Sequence, residues 1–282
     1  MDLDGTLIDH DGHLRERDRQ AMDKAASSGI ALAIVTGRRR STFWAERARF
    51  SGLAFRSSVS NGAVLLSPDN RGIERVHAIS WQGLEAVWAE LPRDAVRACM
   101  AVTVPGTGDA ACAEAPDAII MTPDRRFYGA VSACEPEMQP AEEEFRLDEA
   151  LVTARPLVHA AFHVPDLDMV EQVAETARNC FDDNAMVYVT RPPRAGGMMV
   201  EIVARGGKAL AVRDFATMLG VPDEAVAAIG DDLNDVPMLE AARFRYAMGG
   251  SRLAAAQSPG AIEMPAGGGV ADALERFAQD LR

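Results

Sequence analysis

The sequence predicts an α/β protein: a doubly wound parallel sheet interrupted by a smaller, inserted α/β unit. Two observations carry this. Continuous aliphatic runs, residues 30–35 (IALAIV) and 225–229 (AVAAI), alternate with helical stretches, as strands buried on both faces do. That pattern fills residues 1–80, gives way to a region of different texture, and resumes at about residue 204. A chain of 282 residues exceeds a single ordinary core, so we expect a core from 1–80 and 204–282 and an inserted α/β unit over 81–203.

Residues 14–28 have helical spacing and stop at Gly29, which leads into IALAIV and Thr36. A helix over 42–50 and a short strand near Val59 bring the chain to a turn, Ser60-Asn61-Gly62-Ala63. AVLLS and IERVHAIS flank PDNRG and predict a hairpin. In the middle region the strands RACMAVTV, VHAAFHV, AMVYVT and MMVEIVA alternate with helices at 81–91 and 167–181. Between them residues 135–149 hold seven carboxylates against one arginine, the composition of a solvated loop and helix. From Gly207 follow the helix KALAVRDFATML, a stop at Gly220, the strand AVAAI, the acidic loop GDDLND, a helix, a strand at YAM and a helix over 270–281 that sets Leu274, Phe277 and Leu281 on one face.

Apolar residues make up 48% and charged residues 25%, enough to bury a full core. The net charge of −13 repels phosphate backbones and anionic lipid, so we expect neither a nucleic-acid nor a membrane partner. The four cysteines (99, 112, 134, 180) lack zinc-site pairing and disulfide density and read as reduced thiols. With no apolar run of membrane length and no export signal at the N-terminus, the expected location is the cytoplasm. Nothing sets the oligomeric state.

Ligands of doubly wound sheets bind at the carboxyl ends of the strands, and four polar clusters fall there. In Asp2-Leu3-Asp4-Gly5-Thr6 the i, i+2 spacing aims two carboxylates the same way and Gly5 permits a sharp turn, so one acid can attack while the other trades protons. Thr36-Gly37-Arg38 offers a hydroxyl and backbone amides for phosphoryl oxygens. Lys208 opens a helix, the unfavourable end for a cation, which points to an anion nearby. Gly230-Asp231-Asp232-Leu233-Asn234-Asp235 packs three carboxylates into one loop, a repulsive set that a hard cation such as magnesium would relieve.

In this order and context the motifs resemble the haloacid dehalogenase superfamily of aspartate-nucleophile phosphatases, whose core is Rossmann-like. SNGA at 60–63, and the stretch from VEIVARGGKALAV through GDDLNDVPMLEAA and YAMGG to GGVADAL, resemble its Cof-type, sugar-phosphatase-like subgroup. The resemblance implies a Mg²⁺-dependent phosphomonoesterase acting on a small phosphorylated metabolite such as a sugar phosphate. Asp2 would form an aspartyl-phosphate, and Asp4 would protonate the leaving oxygen and then activate water. Thr36, Gly37 and Asn234 would hold the phosphoryl group, and Lys208 would neutralise its charge and that of Asp2. Asp2, Asp231 and the backbone carbonyl of Asp4 would bind the metal, with Asp235 in contact with it or just behind. Asp232 falls where the family accepts many residues.

In that family the nucleophile ends a buried strand of several apolar residues, whereas only Met1 precedes Asp2 here, so we expect the start of the natural chain to lie upstream. The inserted unit resembles the subgroup's cap, which lays one sheet face on helices and turns the other to the substrate. Alternation then leaves His159, Ala161 and His163 on the open face, joined by Tyr188, Thr190 and, less directly, Arg97 and Glu201. We expect His159, His163 and Tyr188 to contact the non-phosphate part of the substrate, and Arg191 and Arg194, beside a return hinge at 195–197, to close over an anionic one. Two other functions fit the residues: a phosphotransferase or phosphomutase with the same nucleophile, and a non-catalytic metabolite-binding protein.

Overall fold

The computed structural model describes residues 1–9, 12–92, 94–105, 107, 118–121, 155–191, 196–251, 258–266 and 268–281. Cys112, Cys134, the acidic stretch 135–149 and Arg194 lie outside the described residues. The chain divides into two compact units, one of Met1–Arg38, Phe43–Arg71 and Gly206–Arg282, the other of Arg39–Thr42 and Gly72–Arg205.

In the first unit, α1 (Glu16–Ser27) buries Asp18, Ala21, Met22 and Ala25 at three- and four-residue spacing, and the chain leaves it through Gly29 at φ 85°. β1 (Ala33–Val35) pairs in parallel with β2 (Arg56–Val59), and β2 pairs antiparallel with β3 (Val64–Leu66). The helix α2 (Arg40–Glu46) lies between β1 and β2 in sequence. After the second unit come α5 (Lys208–Leu219), β10 (Ala227–Gly230), α6 (Val236–Glu240), β11 (Phe244–Met248), β12 (Ile262–Met264) and α7 (Gly269–Asp280). β10, β11 and β12 run parallel.

Residues 1 and 2 join the two sets of strands. The amino group of Met1 donates to Ala33 O at 2.8 Å, Val35 N–H donates to Met1 O at 2.9 Å, and Asp2 N–H donates to Ile229 O at 2.9 Å. The start of the chain thus lies between β1 and β10, at the middle of a doubly wound sheet. Alternation sends Val35, Ala228 and Ala247 to one face, where they pack with Phe215 of α5 and Met238 and Leu239 of α6. Phe244 meets Phe277 of α7 edge-on at 5.3 Å between ring centroids, and Met248 lies against Gly269, so α7 covers the other face.

The second unit is an antiparallel sheet of order β6-β5-β7-β9-β8, formed by β5 (Ala98–Thr103), β6 (Ala118–Met121), β7 (Leu157–Val164), β8 (Ala185–Thr190) and β9 (Met198–Ala204). It also contains β4 (Ile73–Val76) and two helices, α3 (Trp81–Glu90) and α4 (Val170–Phe181). Ser80 caps α3 by accepting from Gly83 N–H at 3.1 Å. Trp88 of α3 stacks on Phe162 of β7 at 6.3 Å, and Gly83 leaves room for the Phe181 ring, so both helices lie on the Phe162 side of the sheet. Two strands, β6 and β12, were not foreseen from the sequence. β12 is three residues long and set between Gly260 and Pro265.

Candidate active site

Asp2 stands where the central segment leaves the sheet and is 5% exposed. Lys208, the first residue of α5, is 1% exposed, and its Nζ donates to Asp2 Oδ1 at 2.5 Å and Asp235 Oδ1 at 2.6 Å. The cation that looked misplaced at a helix N-terminus is therefore held between two buried carboxylates. Burial alone would push the ammonium down, but the charges of Asp2 and Asp235 outweigh it and hold Lys208 above its ordinary value. Burial, together with repulsion from Asp235 and Asp231, raises Asp2 well above the usual carboxylate range even though Lys208 pulls the other way.

β10 delivers the acidic loop. A Cβ on Gly230 would collide with the Asp235 side chain, so only glycine lets that carboxyl fold back beneath the loop. Asp235 Oδ2 accepts from the amides of Asp231 at 2.8 Å and Asp232 at 3.1 Å, while Oδ1 takes Lys208. Both its oxygens are thus engaged, Oδ2 by the loop and Oδ1 by the lysine. Asp232 caps the next turn through Leu233 N–H at 2.7 Å. Asp231 accepts from Thr6 Oγ1 at 2.7 Å, and burial pushes its carboxyl up to about 6.

One oxygen from each of Asp2, Asp231 and Asp235 lies within 4.8 Å of the others. Three acids with one lysine leave this centre short of positive charge, and every donor is a hard oxygen, so the residues fit a divalent cation. Among the described residues the Asp4 carboxylate is not part of this cluster. It turns to Arg38, whose Nε and Nη2 donate to its two oxygens at 2.8 and 2.6 Å.

Thr36 directly follows β1 and is 1% exposed, and its Oγ1 accepts from Arg38 N–H at 3.1 Å. A Cβ on Gly37 would come to 3.0 Å from Asn61 Oδ1, so any larger residue there would have to push that side chain aside. Asn61 Oδ1 in turn accepts from Asn234 Nδ2 at 3.0 Å. The predicted residues Asp2, Lys208, Asp231 and Asp235 thus meet in one hydrogen-bonded group, and Asn234 approaches Gly37 through Asn61. Sequence reasoning missed the parts of Thr6, Arg38 and Asn61. All three lay inside the motifs it singled out.

In the second unit the register pairs His159 with Val203, Ala161 with Glu201 and Tyr188 with Glu201, so these residues share the face away from Phe162 as alternation predicts. The open character expected of the histidines does not hold. His159 is 5% and His163 1% exposed. His163 Nε2 is 2.6 Å from Gly196 O, a contact that ties strand to loop, and His159 Nε2 is 3.1 Å from Glu201 Oε2. Thr190 Oγ1 donates to the other Glu201 oxygen. Tyr188 is half-buried with its hydroxyl near Met186 Sδ, Arg191 is exposed at the end of β8, and Arg97 lies in a bend before β5.

Paired carboxylates and a buried lysine at the carboxyl edge of a doubly wound sheet define a hydrolase of the phosphatase type. The chain belongs to the haloacid dehalogenase-like hydrolase family, whose model matches residues 1–105 and 110–274. It is 53% identical over 47 residues to the phosphoserine phosphatase SerB2 of Mycobacterium tuberculosis, a match spanning 17% of this chain and only 12% of that protein. It is 25% identical over 253 residues to the 5-amino-6-(5-phospho-D-ribitylamino)uracil phosphatase YitU of Bacillus subtilis, covering 88% of this chain and 85% of that one. Among solved structures, BT1666 of Bacteroides thetaiotaomicron superposes with a TM-score of 0.72 at 20% identity over 98% of this chain and 93% of that one. The subclass IIB sugar phosphatase BT4131 does so at 0.71 and 17%, over 98% and 97%. Among the described residues no helix is long and apolar enough to cross a membrane.

Proposed function

We propose that the chain is a Mg²⁺-dependent phosphomonoesterase that hydrolyses a small phosphorylated metabolite, a sugar phosphate or a phosphorylated polyol, through an aspartyl-phosphate on Asp2. The carrying observation is the buried contact of Lys208 Nζ with Asp2 Oδ1, which sets a cation against the attacking carboxyl beside Asp231. An oxygen of Asp2 forms the bond to phosphorus while the ester bond breaks, and Asp4 gives its proton to the departing oxygen. Water deprotonated by Asp4 then attacks the phosphorus, releasing phosphate and restoring both acids. Lys208 offsets negative charge on the phosphoryl group, and Thr36, the Gly37 backbone and Asn234 orient it. Asp2, Asp231 and the Asp4 carbonyl would hold Mg²⁺, which supplies further charge neutralisation when bound.

We assign residues 81–203 as the inserted unit that selects the substrate, with Tyr188 and Arg191 contacting its non-phosphate part and His159 and His163 supporting that face from within. The resemblance to sugar-phosphatase-like proteins and the phosphorylated ribityl substrate in the name of YitU support a polyhydroxyl leaving group. The test is phosphate release from a panel of phosphorylated metabolites with Mg²⁺ and with chelator. Turnover of a sugar or polyol phosphate, lost with chelator and in Asp2→Asn, is expected. No release from any member, or turnover surviving Asp2→Asn, would overturn the assignment. A trace of free phosphate with a bisphosphate-activated isomerisation would identify a mutase instead.

A further inference from the structure

The turn Ser60-Asn61-Gly62 has no part in the chemistry above, yet its conformation is unusual. Ser60, Asn61 and Gly62 all have positive φ, at 52°, 54° and 90°. Two successive non-glycine residues there cost roughly 1–2 kcal/mol each, a conformation that persists only where the surroundings fix it. The surroundings are the site itself. Ser60 N–H donates to Arg38 O at 2.8 Å and Asn61 N–H donates to Thr36 O at 3.0 Å. Asn61 Oδ1 accepts from Asn234 Nδ2 at 3.0 Å. Gly62 presses on the Gly207 carbonyl and the Cα of Lys208 so closely that a Cβ would overlap both. Ser60 and Asn61 are 1% and 4% exposed, so water does not compete for these contacts.

One three-residue turn therefore touches the loops that carry Thr36, Lys208 and Asn234, which come from three distant parts of the chain. We infer that Asn61 is a positioning residue of the phosphoryl-binding site: its Oδ1 fixes the orientation of the Asn234 amide against the Gly37 loop before substrate arrives. Asparagine suits both demands. It tolerates left-handed backbone better than other side chains of its size, and its amide oxygen accepts at the distance the Gly37 loop leaves open. The inference rests on the phosphatase reading for the role of Asn234, but not for the contact itself.

The variant Asn61→Gly separates the two duties, because glycine accepts the positive φ while removing the acceptor. With p-nitrophenyl phosphate and Mg²⁺, kcat should fall on the order of tenfold or more, as expected of a misplaced binding group, while the thermal midpoint stays level or rises. Inhibition by inorganic phosphate should weaken alongside. Combining Asn61→Gly with Asn234→Ala should cost no more than Asn234→Ala alone, since both break one contact. A lowered midpoint with kcat unchanged, or additive losses, would make the turn merely structural and overturn the inference. If the wild-type protein released no phosphate, the phosphatase reading would fail separately. A crystal structure of Asn61→Gly then decides this inference by itself: a displaced Asn234 amide upholds it, and an unmoved one refutes it.

Discussion

Arg38 grips Asp4 with a two-pronged contact, Nε on Oδ2 at 2.8 Å and Nη2 on Oδ1 at 2.6 Å, across 34 residues of sequence. Half of the Asp4 side chain and a quarter of Arg38 face solvent, so the pair contributes about 0–1 kcal/mol to stability and its value is geometric. It holds the carboxyl that we assign as proton donor in one orientation.

Arg38→Ala should therefore leave the urea midpoint nearly unchanged while lowering kcat/KM for an alkyl phosphate about 10- to 100-fold, the scale of a lost general acid. p-Nitrophenyl phosphate, whose leaving group needs little protonation, should lose much less. Arg38→Lys should rescue poorly, because an ammonium cannot reproduce the planar fork. Equal losses on both esters would show that Arg38 acts on the phosphoryl group rather than through Asp4.

Lys208 sits between Asp2 and Asp235 with almost no exposure. Replacing it by methionine fills similar volume but leaves two buried carboxylates uncompensated, at a cost of about 3–5 kcal/mol. Urea unfolding should show that loss, and phosphate release should vanish. Asp2→Asn added to Lys208→Met should recover part of the stability by removing one stranded charge, with activity still absent. If the double variant were no more stable than Lys208→Met, repulsion between the acids would not be the cause.

The site was legible in the sequence wherever the rule that ligands gather at the carboxyl ends of strands applied. That rule alone brings Asp2, Thr36, Lys208 and Asp231 to one sheet edge. Partner identity was not legible from local pattern. The start of a helix made Lys208 point to an anion, but only the family resemblance named Asp2, 206 residues away, and Asn61 read as a plain turn because Asn234 lies 173 residues on. Strand alternation placed His159 and His163 on the correct face, but face is a local property and burial is not. His163 is closed off through Gly196, which only the return of the chain brings near.

Tyr246, in β11, is fully buried, and its hydroxyl has no hydrogen-bond partner among the described residues. Burial also raises its phenol above the ordinary value. An unpaired buried hydroxyl costs about 1–3 kcal/mol, and the ring fills its site without it. Tyr246→Phe should stabilise the protein by about 1 kcal/mol in urea unfolding at unchanged kcat. A destabilised variant would mean that the hydroxyl is satisfied in solution, by a water for instance.

Asp18 of α1 is fully buried, and its Oδ1 accepts from Ala271 N–H in the first turn of α7 at 2.8 Å. Burial raises its carboxyl above the unfolded value, although that amide and the nearby Arg15 and Arg17 pull it down, and Oδ2 has no hydrogen-bond partner among the described residues. A raised folded-state value means that the native state holds this proton more tightly than the unfolded chain does. The resulting stabilisation is complete below the unfolded carboxylate value and is lost as pH rises through the folded one. Asp18→Asn keeps an acceptor for Ala271 and removes the titration. The variant should therefore exceed the wild type in stability at pH 7, and the difference should shrink as pH falls through the carboxylate range. Denaturant midpoints of both proteins at several pH values measure this directly. A difference that grew toward acid would mean that the ionised carboxylate at the start of α7 stabilises the fold, with the helix dipole outweighing desolvation.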